Sequence, residues 1–458
     1  MELLDLLSKI VGKENVSDNE LDLICYANDL APLPDIVLSA YKLKPPSYIV
    51  RPNNAKQVSD IVKLANDRKI PVTPRGGASS GLGGCIPVEG GIVLDLTSLD
   101  RVVDINQKEM ALRVQSGVVW KTLVHKSERA RLKPGIYPSS APSATVGGFI
   151  STGGCAGIGA PKYGPIFDQI IELEVVLPNG DIVRLSPPLS NLFVGAEGTL
   201  GVVTEAILKA YPLPKAFSVS AYAFKETSSA CDSIAQIHHS GLKPYYLFIV
   251  DKYLLDTTRS LGIEMPECEM LVVVAFEGAE SEIEMYRKAF DKTFSIKGEK
   301  LESGIAEDEW ERRYNAELFV KRAGPTLILL ELNLPIRSLF KAATKLKEME
   351  RRGLKSGLFG ILGHGGSMLV MPVLLTDERS GSEYLRLLLS VRDIVKSSFQ
   401  FGGTIYGVGL HNSMYMDLIH DSKILDLMKS IKKKFDPNGI MNIGKMTECR
   451  VPPVLRGS

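Results

Sequence analysis

Two dense clusters of glycine constrain this chain more than any other feature of its sequence. Residues 76–91 contain seven glycines and residues 147–164 contain seven more, out of 41 in 458 residues. Glycine loses more backbone entropy on folding than other residues, so such clusters persist where backbone turns sharply or approaches a ligand closely. The sequence therefore predicts two glycine-rich loops, either as tight turns or as parts of a ligand site.

The composition favours a large globular protein and disfavours two functions. The chain is long enough for two or three domains, and 45% hydrophobic with 23% charged residues is a globular balance. A net charge of +1 lacks the basic excess of a nucleic-acid-binding protein. No apolar run approaches the roughly 20 residues of a membrane helix, and the start of the chain lacks a basic region followed by an apolar one. We therefore expect a cytoplasmic protein without a membrane span.

The cysteines give no sign of a metal or redox motif. Six are present, none of them in a CxxC pair, at positions 25, 85, 155, 231, 268 and 449. Without local pairs, zinc ribbons, iron–sulfur clusters and thioredoxin chemistry lack their signature. The interpretation is that each cysteine is a small buried hydrophobe.

Helical and strand-like patterns alternate along the chain. A helix is predicted after Asn54, which can cap it with Gln57 three residues on. Apolar runs on either side of Asn179-Gly180 predict a hairpin, and the Pro212–Lys215 segment predicts a domain boundary. Beyond it, strands that alternate with helices predict a second α+β domain. Further strands are predicted at 92–96, 219–224, 246–250 and 271–276, and further helices at 118–127, 228–239, 280–294, 380–400 and 421–435.

Neither glycine cluster matches a nicotinamide or nucleoside-triphosphate loop. The G-x-G-x-x-G pattern fails because Ile86 and Lys162 stand where the third glycine is needed. The segment 74–81, Pro-Arg-Gly-Gly-Ala-Ser-Ser-Gly, can still form a concave array of backbone N–H groups that binds a diphosphate. A plain glycine turn is the alternative.

Four segments together resemble the FAD-binding domain of the vanillyl-alcohol oxidase/PCMH superfamily. They are residues 74–84, 145–148, 195–205 and 436–445. Within that superfamily, the chain is similar to the branch of glycolate oxidase D subunits and D-lactate dehydrogenases. The resemblance implies an α+β fold in which a PCMH-type FAD-binding domain of two α+β subdomains is followed by an α+β cap domain and a C-terminal segment that returns to the FAD domain. The corresponding boundaries are 1–214, 215–400 and 401–458.

The resemblance also implies which residues bind FAD. Segment 76–80 is expected at the pyrophosphate, segments 138–140 and 145–148 beside the ribityl chain and isoalloxazine ring, and Gly198 and Val203 near the adenine half. Tyr163 is expected as a wall of the flavin site, or else as a packing residue against the following hairpin. The full expected set is Arg75, Gly76, Gly77, Ala78, Ser79, Ser80, Pro138, Ser139, Ser140, Thr145, Gly147, Gly148, Tyr163, Gly198 and Val203.

Two further residues bear on how the flavin is held. Members of the superfamily commonly attach flavin through a histidine in the first glycine loop, but this chain has Ala78 and Ser79 there and no histidine. His420 is an alternative attachment site or a solvated surface residue. Glu197 is either near the cofactor or a buried structural carboxylate. We expect non-covalent FAD.

The branch oxidises 2-hydroxy acids, and a guanidinium suits the substrate carboxylate because its fork binds both oxygens. The segment Trp310-Glu311-Arg312-Arg313 resembles the W-x-x-R element of the branch. Arg313 is therefore the candidate carboxylate-binding residue. A surface salt bridge is the alternative role, and Arg322 is a rival.

The metal motif of the branch is incomplete in this chain. Residues 363–366, Gly-His-Gly-Gly, resemble the start of its G-H-x-G-D-G-N-x-H motif, but Ser367 replaces the aspartate and Met371 stands at the second histidine. The later G-E-H-G element also fails, since valine and glycine occupy positions 408 and 409. We expect no metal. His364 is then a general base or a structural histidine, and His411, with Asn412, is a second candidate.

These inferences predict an FAD-dependent oxidoreductase that oxidises a small 2-hydroxy acid of the D-lactate or glycolate type. Hydride would pass to flavin N5, and the electrons to an external acceptor, such as an acceptor protein. The alternatives are a flavoenzyme of the same fold acting on a polyol or an alkyl-glycerone phosphate, and a non-catalytic FAD-binding subunit of a larger oxidase complex. The sequence leaves open whether the chain forms a homo-oligomer.

Overall fold

Three β-sheets organise the chain in the computed structural model. The structure describes residues 2–31, 39, 41–314, 319–377 and 379–447. Within these ranges, the sheets follow one another along the chain with four, six and nine strands. Helices cover parts of each sheet, and the predicted α+β class is confirmed.

The first sheet is parallel across most of its width. Its order is β1-β2-β4-β3, and β4 pairs in parallel with both β2 and β3. Helix α3 begins after Asn54, whose Oδ1 accepts a hydrogen bond from the Gln57 amide at 2.9 Å, which confirms the predicted cap. The elements are β1 (Val16–Ser17), β2 (Tyr48–Val50), β3 (Val72–Arg75), β4 (Ile92–Asp95), α1 (Leu3–Val11), α2 (Glu20–Tyr26) and α3 (Ala55–Arg68).

The second sheet is antiparallel. Its order is β5-β6-β10-β8-β9, and β7 also pairs with β10. The predicted hairpin is confirmed, because β8 and β9 pair around Gly180, whose φ is 90°. The elements are β5 (Val102–Asn106), β6 (Ala111–Gln115), β7 (Leu132–Pro134), β8 (Ile170–Val176), β9 (Ile182–Leu185), β10 (Val202–Pro212), α4 (Trp120–Arg129), α5 (Val146–Ser151), α6 (Ala160–Tyr163) and α7 (Ile166–Gln169).

The third sheet, hereafter the cap sheet, is antiparallel with the order β14-β11-β13-β12-β17-β18-β16-β19, and β15 also pairs with β18. The helix predicted at 280–294 is confirmed residue for residue as α10. The strands are β11 (Ala216–Phe224), β12 (Tyr246–Asp251), β13 (Met270–Gly278), β14 (Gly298–Lys300), β15 (Thr326–Leu329), β16 (Leu332–Pro335), β17 (Lys355–Leu362), β18 (Ser367–Thr376) and β19 (Thr404–Ile405). The helices are α8 (Thr227–His239), α9 (Lys252–Ser260), α10 (Glu280–Phe294), α11 (Ser303–Arg312), α12 (Leu339–Arg351) and α13 (Gly381–Gln400).

The C-terminal segment returns to the first sheet, as predicted. After α14 (Met416–Ile419) and α15 (Ser422–Phe435), the amide of Val72 donates to the carbonyl of Ile440 at 2.8 Å. The amide of Asn442 donates back to the Val72 carbonyl at 2.8 Å. The chain enters the cap sheet at Ala216, and β19 still belongs to that sheet. The boundaries at residues 214 and 400 stay predictions.

One hydrophobic core joins the second sheet to the cap sheet. Ile136 and Ile158, from the segment between β7 and α6, share this cluster with Phe248, Ile361 and Met371 of the cap sheet. The glycine-rich loops therefore lie against one face of the cap sheet. Within the described ranges, none of the helices combines the length and apolar character needed to cross a bilayer.

The cysteines only partly follow the prediction. Cys231 and Cys268 are buried, and Cys85 and Cys155 are partly buried. Cys25 is exposed, so the prediction is wrong there, because α2 lies on the surface and buries none of its residues. Cys449 lies outside the described residues.

Candidate functional site

A long cleft separates the two glycine-rich segments from the cap sheet. One wall comes from the loop after β3, the loop after β7 and the first turns of α5. The other wall comes from cap-sheet side chains and from the segment after β19. The cap-side lining consists of Leu329, Glu331, Ile361, Leu369, Met371, Tyr406 and Gly407.

The first glycine loop lies directly on the backbone before α5. A Cβ placed on Gly76 would lie 2.3 Å from Thr145 Oγ1, and one on Gly77 would lie 2.0 Å from the carbonyl oxygen of Ser143. Larger residues do not fit at either position. Ala78 takes a left-handed φ of 51°, which turns the loop away from β3.

The same loop presents free backbone donors. Among the described residues, no backbone N–H of residues 77–81 donates to another protein group. Buried or semi-buried N–H groups are nearly always satisfied by some partner, and consecutive ones form a concavity that binds anions. Arg75 at the start of the loop donates from Nη1 to the carbonyl of Asn28 at 2.7 Å. This end of the cleft can bind an anion such as a diphosphate.

The second glycine segment is equally tight. Thr145 caps α5, with its Oγ1 accepting from the amide of Gly148 at 3.2 Å. A Cβ on Gly147 would lie 2.5 Å from the Cβ of Ser116. This close packing brings the backbone of α5 to the floor of the cleft.

The structure brings most of the expected cofactor residues together. Fourteen of the fifteen line the cleft. Tyr163 is the exception, because its hydroxyl donates to Glu277 Oε1 of β13 at 2.6 Å and its ring packs on Tyr211 with centroids 4.3 Å apart. Tyr163 therefore lies at the contact between α6 and the cap sheet, outside the cleft lining.

Glu197 is a structural carboxylate that also touches the cleft. Its Oε1 accepts from the amide of Val408 at 2.6 Å, and its Oε2 accepts from the amide of Gly409 at 2.8 Å. Burial raises the pKa of this carboxyl above its usual value, although these hydrogen bonds oppose the shift. Asn442 Nδ2 donates to the Glu197 carbonyl at 2.6 Å. Glu197 thus joins the segment before β10 to residues 408–409 and to Asn442 of the C-terminal segment.

Arg313 lies just beyond α11, in an aromatic enclosure. Its guanidinium carbon is 3.9 Å from the centroid of the Trp310 ring and 4.1 Å from that of Tyr314. Nη2 donates to the Tyr314 hydroxyl at 2.9 Å, while the buried Nε has no partner. Burial raises the pKa of Tyr137, the residue before cleft-lining Pro138. The positive charge of Arg313 partly opposes this shift. The rival Arg322 is exposed.

Neither histidine candidate lines the cleft. His364 lies in the turn between β17 and β18, half-buried, with an unpartnered buried Nδ1. His411 is buried under the first glycine loop, its amide donating to the Leu82 carbonyl at 3.0 Å, and both of its ring nitrogens lack partners. Burial lowers the pKa of His411 to about 4, so its ring is neutral at pH 7.

The remaining motif positions also lie apart from one another. Met371, at the position of the second motif histidine, lines the cleft, whereas His420 lies between α14 and α15 outside it. In the part of the chain that the structure describes, no group of three or more histidine, cysteine or acidic side chains is arranged to hold a metal ion.

On the cap side of the cleft, two polar residues escaped the sequence analysis. Glu331 lies between β15 and β16, and Tyr406 follows β19. Neither belongs to a glycine cluster or to one of the recognised motifs. The apolar run from Leu327 to Leu332, interrupted by one glutamate, was the only signal in the sequence.

Comparison with known proteins identifies the family. Residues 46–186 match the family described as FAD binding domain, and residues 213–446 match FAD linked oxidases, C-terminal domain. The chain belongs to these FAD-linked oxidases, and its relatives include a glycolate oxidase D subunit and a D-lactate dehydrogenase. It is therefore an FAD-linked oxidoreductase whose cofactor is FAD.

Three similar proteins illustrate the relationship. Glycolate oxidase subunit GlcD of Bacillus subtilis (strain 168) is 28% identical, with 97% of this chain and 96% of that protein covered. D-lactate dehydrogenase of Anaerostipes hadrus is 27% identical, with 89% and 91% covered. The crystal structure of p-cresol methylhydroxylase with substrate bound has the same fold, with a TM-score of 0.81, 20% identity, and 97% and 96% covered.

Proposed function

We propose that this chain oxidises a small 2-hydroxy acid of the D-lactate or glycolate type and passes the electrons to an external acceptor. The observation that carries the proposal is the cleft between two glycine-rich segments and the cap sheet. The Arg313 guanidinium does not line this cleft, but its charge acts on Tyr137, the residue before cleft-lining Pro138. The names of the relatives, a glycolate oxidase subunit and a D-lactate dehydrogenase, support this substrate class.

The cleft residues fit FAD. The free N–H groups of residues 77–81 suit the pyrophosphate, and segments 138–140 and 145–148 would line the remainder of the cofactor. When bound, FAD supplies the two-electron acceptor for the oxidation, and the protein supplies binding, orientation and proton transfer. The first glycine loop contains no histidine, and His420 lies outside the cleft lining. We therefore propose that FAD binds non-covalently.

Arg313 would bind the substrate carboxylate. Its guanidinium contacts the rings of Trp310 and Tyr314, and Nη1 and Nη2 donate to the Trp310 carbonyl and the Tyr314 hydroxyl, so that its orientation is fixed before a ligand arrives. Its unpartnered Nε has unused hydrogen-bonding capacity. A planar, preoriented guanidinium binds a carboxylate through two parallel hydrogen bonds, which also fixes the position of the neighbouring carbon.

One observation favours a second substrate class. The cap-side lining is mostly aliphatic, with Leu329, Ile361, Leu369 and Met371 facing the cleft. Apolar lining favours substrates that carry an alkyl chain. An alkyl-glycerone phosphate, or a 2-hydroxy acid with a longer side chain, therefore stands as the second candidate.

Anaerobic mixing of the FAD-loaded protein with a substrate panel tests both candidates. The panel contains D-lactate, L-lactate, glycolate, 2-hydroxyhexanoate, glycerol and an alkyl-glycerone phosphate, and loss of the visible flavin absorbance reports reduction. Fast reduction by D-lactate or glycolate is the expected result. Reduction by the phosphate alone would replace the first candidate with the second. No reduction by any compound would indicate a non-catalytic FAD-binding subunit.

Acid precipitation tests the mode of FAD binding. The yellow cofactor is expected to move wholly into the supernatant when the protein precipitates. Colour retained in the pellet would show covalent attachment and would overturn the non-covalent assignment.

A further inference from the structure

Among the described residues, Glu331 is the one carboxylic acid that the cap side contributes to the cleft lining. The cleft-facing side chains of β15, β17 and β18 and the junction before β16 are Leu329, Glu331, Ile361, Leu369 and Met371. Four of these are aliphatic or thioether side chains, which neither donate nor accept protons. Glu331 is therefore the place on this wall where proton chemistry can occur.

The register of the sheet places Glu331 beside an informative position. β16 pairs antiparallel with β18, with Leu332 opposite Val370. Counting one residue outward on each strand places Glu331 opposite Met371, the position where the resembled motif has its second histidine. Glu331 and Met371 are therefore cross-strand neighbours, and both line the cleft.

The neighbours of Glu331 are polar but remain protonated at neutral pH. The Tyr406 amide donates to the Glu331 carbonyl at 2.9 Å. Burial, followed by the charge of Glu331, raises the pKa of the Cys155 thiol to about 12. Burial also raises the pKa of Tyr406 well above its usual value, and Cys155 and Glu331 add to that shift. Neither the thiol nor the phenol is therefore a proton acceptor at pH 7.

The two histidines named from the sequence are less suited to accept a substrate proton. His364 lies in the β17–β18 turn and His411 beneath the glycine loop, and neither lines the cleft. A general base must come within hydrogen-bonding distance of the proton that it removes. By that criterion, Glu331 is better placed than either histidine.

We propose that Glu331 is the general base of this enzyme and accepts the hydroxyl proton of the substrate. This assignment rests on the proposed oxidation of a 2-hydroxy acid. The hydroxyl O–H bond breaks and its proton passes to a Glu331 carboxylate oxygen, while the C–H bond breaks and its electron pair leaves with hydrogen to the bound FAD. The alcohol carbon becomes a carbonyl carbon, so the products are a 2-oxo acid, protonated Glu331 and reduced cofactor.

Glu331→Gln is the variant that tests the assignment, because the amide keeps the shape of the side chain but is not a base. Positioned proton transfer contributes roughly 10²- to 10⁴-fold to a rate, so the rate of anaerobic flavin reduction is expected to fall by that factor. Two measurements that need no turnover are expected to stay within about twofold of the wild type. These are the Kd of FAD, from fluorescence quenching, and the Kd of the matching 2-oxo acid, from the flavin difference spectrum.

The control is Glu299→Gln, the same substitution at an exposed position on the edge strand β14 of the same sheet. Its reduction rate and both Kd values are expected to match the wild type. An unchanged reduction rate in Glu331→Gln, with the wild type reduced by a 2-hydroxy acid, would overturn the assignment and leave the proposed function in place. A wild type that no 2-hydroxy acid reduces would overturn the proposed function and the assignment together.

Chemical rescue separates a base from a structural residue. In Glu331→Ala, added formate or acetate can enter the space vacated by the side chain and accept the proton. The reduction rate is expected to rise with formate concentration in this variant, and to stay constant in the wild type and in Glu299→Gln. A slow Glu331→Ala variant with normal FAD affinity that formate does not accelerate would overturn the assignment.

Discussion

At the scale of single residues, Arg313 is the side chain whose loss should affect substrate binding most. A hydrogen bond to a charged group contributes about 1.5–3 kcal/mol, so Arg313→Ala is expected to lower kcat/KM for the 2-hydroxy acid by about tenfold to a hundredfold. The change should lie mainly in KM if the guanidinium binds substrate and transition state equally. Steady-state kinetics with an artificial electron acceptor measure both constants.

Arg379→Ala is the control for Arg313, since the Arg379 side chain is 80% exposed and forms a surface ion pair with Asp377. Its kinetic constants should equal those of the wild type. Values of kcat and KM for Arg313→Ala that equal those of the wild type would show that Arg313 does not bind the substrate.

Gly77 carries a second prediction at this scale. A methyl group there would lie 2.0 Å from the Ser143 carbonyl oxygen. Because this oxygen belongs to the backbone, the clash is relieved only if the glycine loop moves. Gly77→Ala is therefore expected to weaken FAD binding by more than tenfold, measured as the Kd of FAD by fluorescence quenching. Gly304→Ala, in α11 with no atom within 4 Å of the new methyl group, should leave that Kd unchanged. An unaltered Kd in Gly77→Ala would show that the loop is not part of the cofactor site.

At the scale of elements, the sequence predicts caps, turns and helices that depend on residues close together in the chain. The position of a residue such as Glu331 depends on pairing between distant strands. The cap at Asn54, the turn at Gly180 and helix α10 follow from residues a few positions apart, and all three are confirmed. Glu331 reaches the cleft only because β15 and β16 both pair with β18, about 40 residues later in the chain. No periodicity within 326–335 carries that information.

The placement of Tyr163 and His411 shows the same limit. Both were named from short motifs, and both are drawn away from the cleft by contacts with distant segments. Tyr163 bonds to Glu277 of β13, and His411 lies under Leu82 of the first glycine loop. A motif indicates the family, whereas the direction of each side chain depends on what the rest of the chain packs against it.

The buried His411 predicts that the free energy of unfolding depends on pH. Its pKa falls from 6.5 to about 4 on burial, so the unfolded chain binds a proton between these pH values and the folded chain does not. The contribution of neutral His411 to the free energy of unfolding is therefore fully present above pH 6.5. It is lost as the pH falls towards 4, by up to about 3 kcal/mol. The free energy of unfolding in urea, measured at pH 7 and pH 4.5, should drop less in His411→Gln than in the wild type.

His125→Gln provides the control, because His125 is 71% exposed on α4. Its unfolding free energy should follow the wild-type pH dependence. Parallel curves for His411→Gln and the wild type would show that His411 titrates normally in the folded protein.

At the scale of the whole molecule, a buried ion pair joins the FAD-binding region to the cap sheet. Lys133 of β7 pairs with Glu277 of β13, and both side chains are more than 90% buried. Tyr163 donates to the same carboxylate, and Lys162 Nζ donates to the Glu277 carbonyl at 2.7 Å. Burial lowers the pKa of Lys133 to about 8, although Glu277 opposes the shift. A buried polar contact therefore links the second sheet to the cap sheet.

Removing one partner of this ion pair should lower the free energy of unfolding much more than removing both partners. Glu277→Leu leaves the Lys133 ammonium buried without its counter-charge and is expected to destabilise the protein by about 3–5 kcal/mol. The double variant Lys133→Met/Glu277→Leu replaces the pair with apolar groups and should recover most of that loss. Urea unfolding, followed by tryptophan fluorescence and by release of FAD, measures the free energy of unfolding of both variants.

The control is Lys56→Met, which breaks an exposed pair with Asp60 on α3. It should change the free energy of unfolding by less than about 1 kcal/mol. If the double variant were as unstable as Glu277→Leu, the loss would come from the packing of the leucine or from the Tyr163 hydroxyl, and the ion pair would not be what joins the two regions.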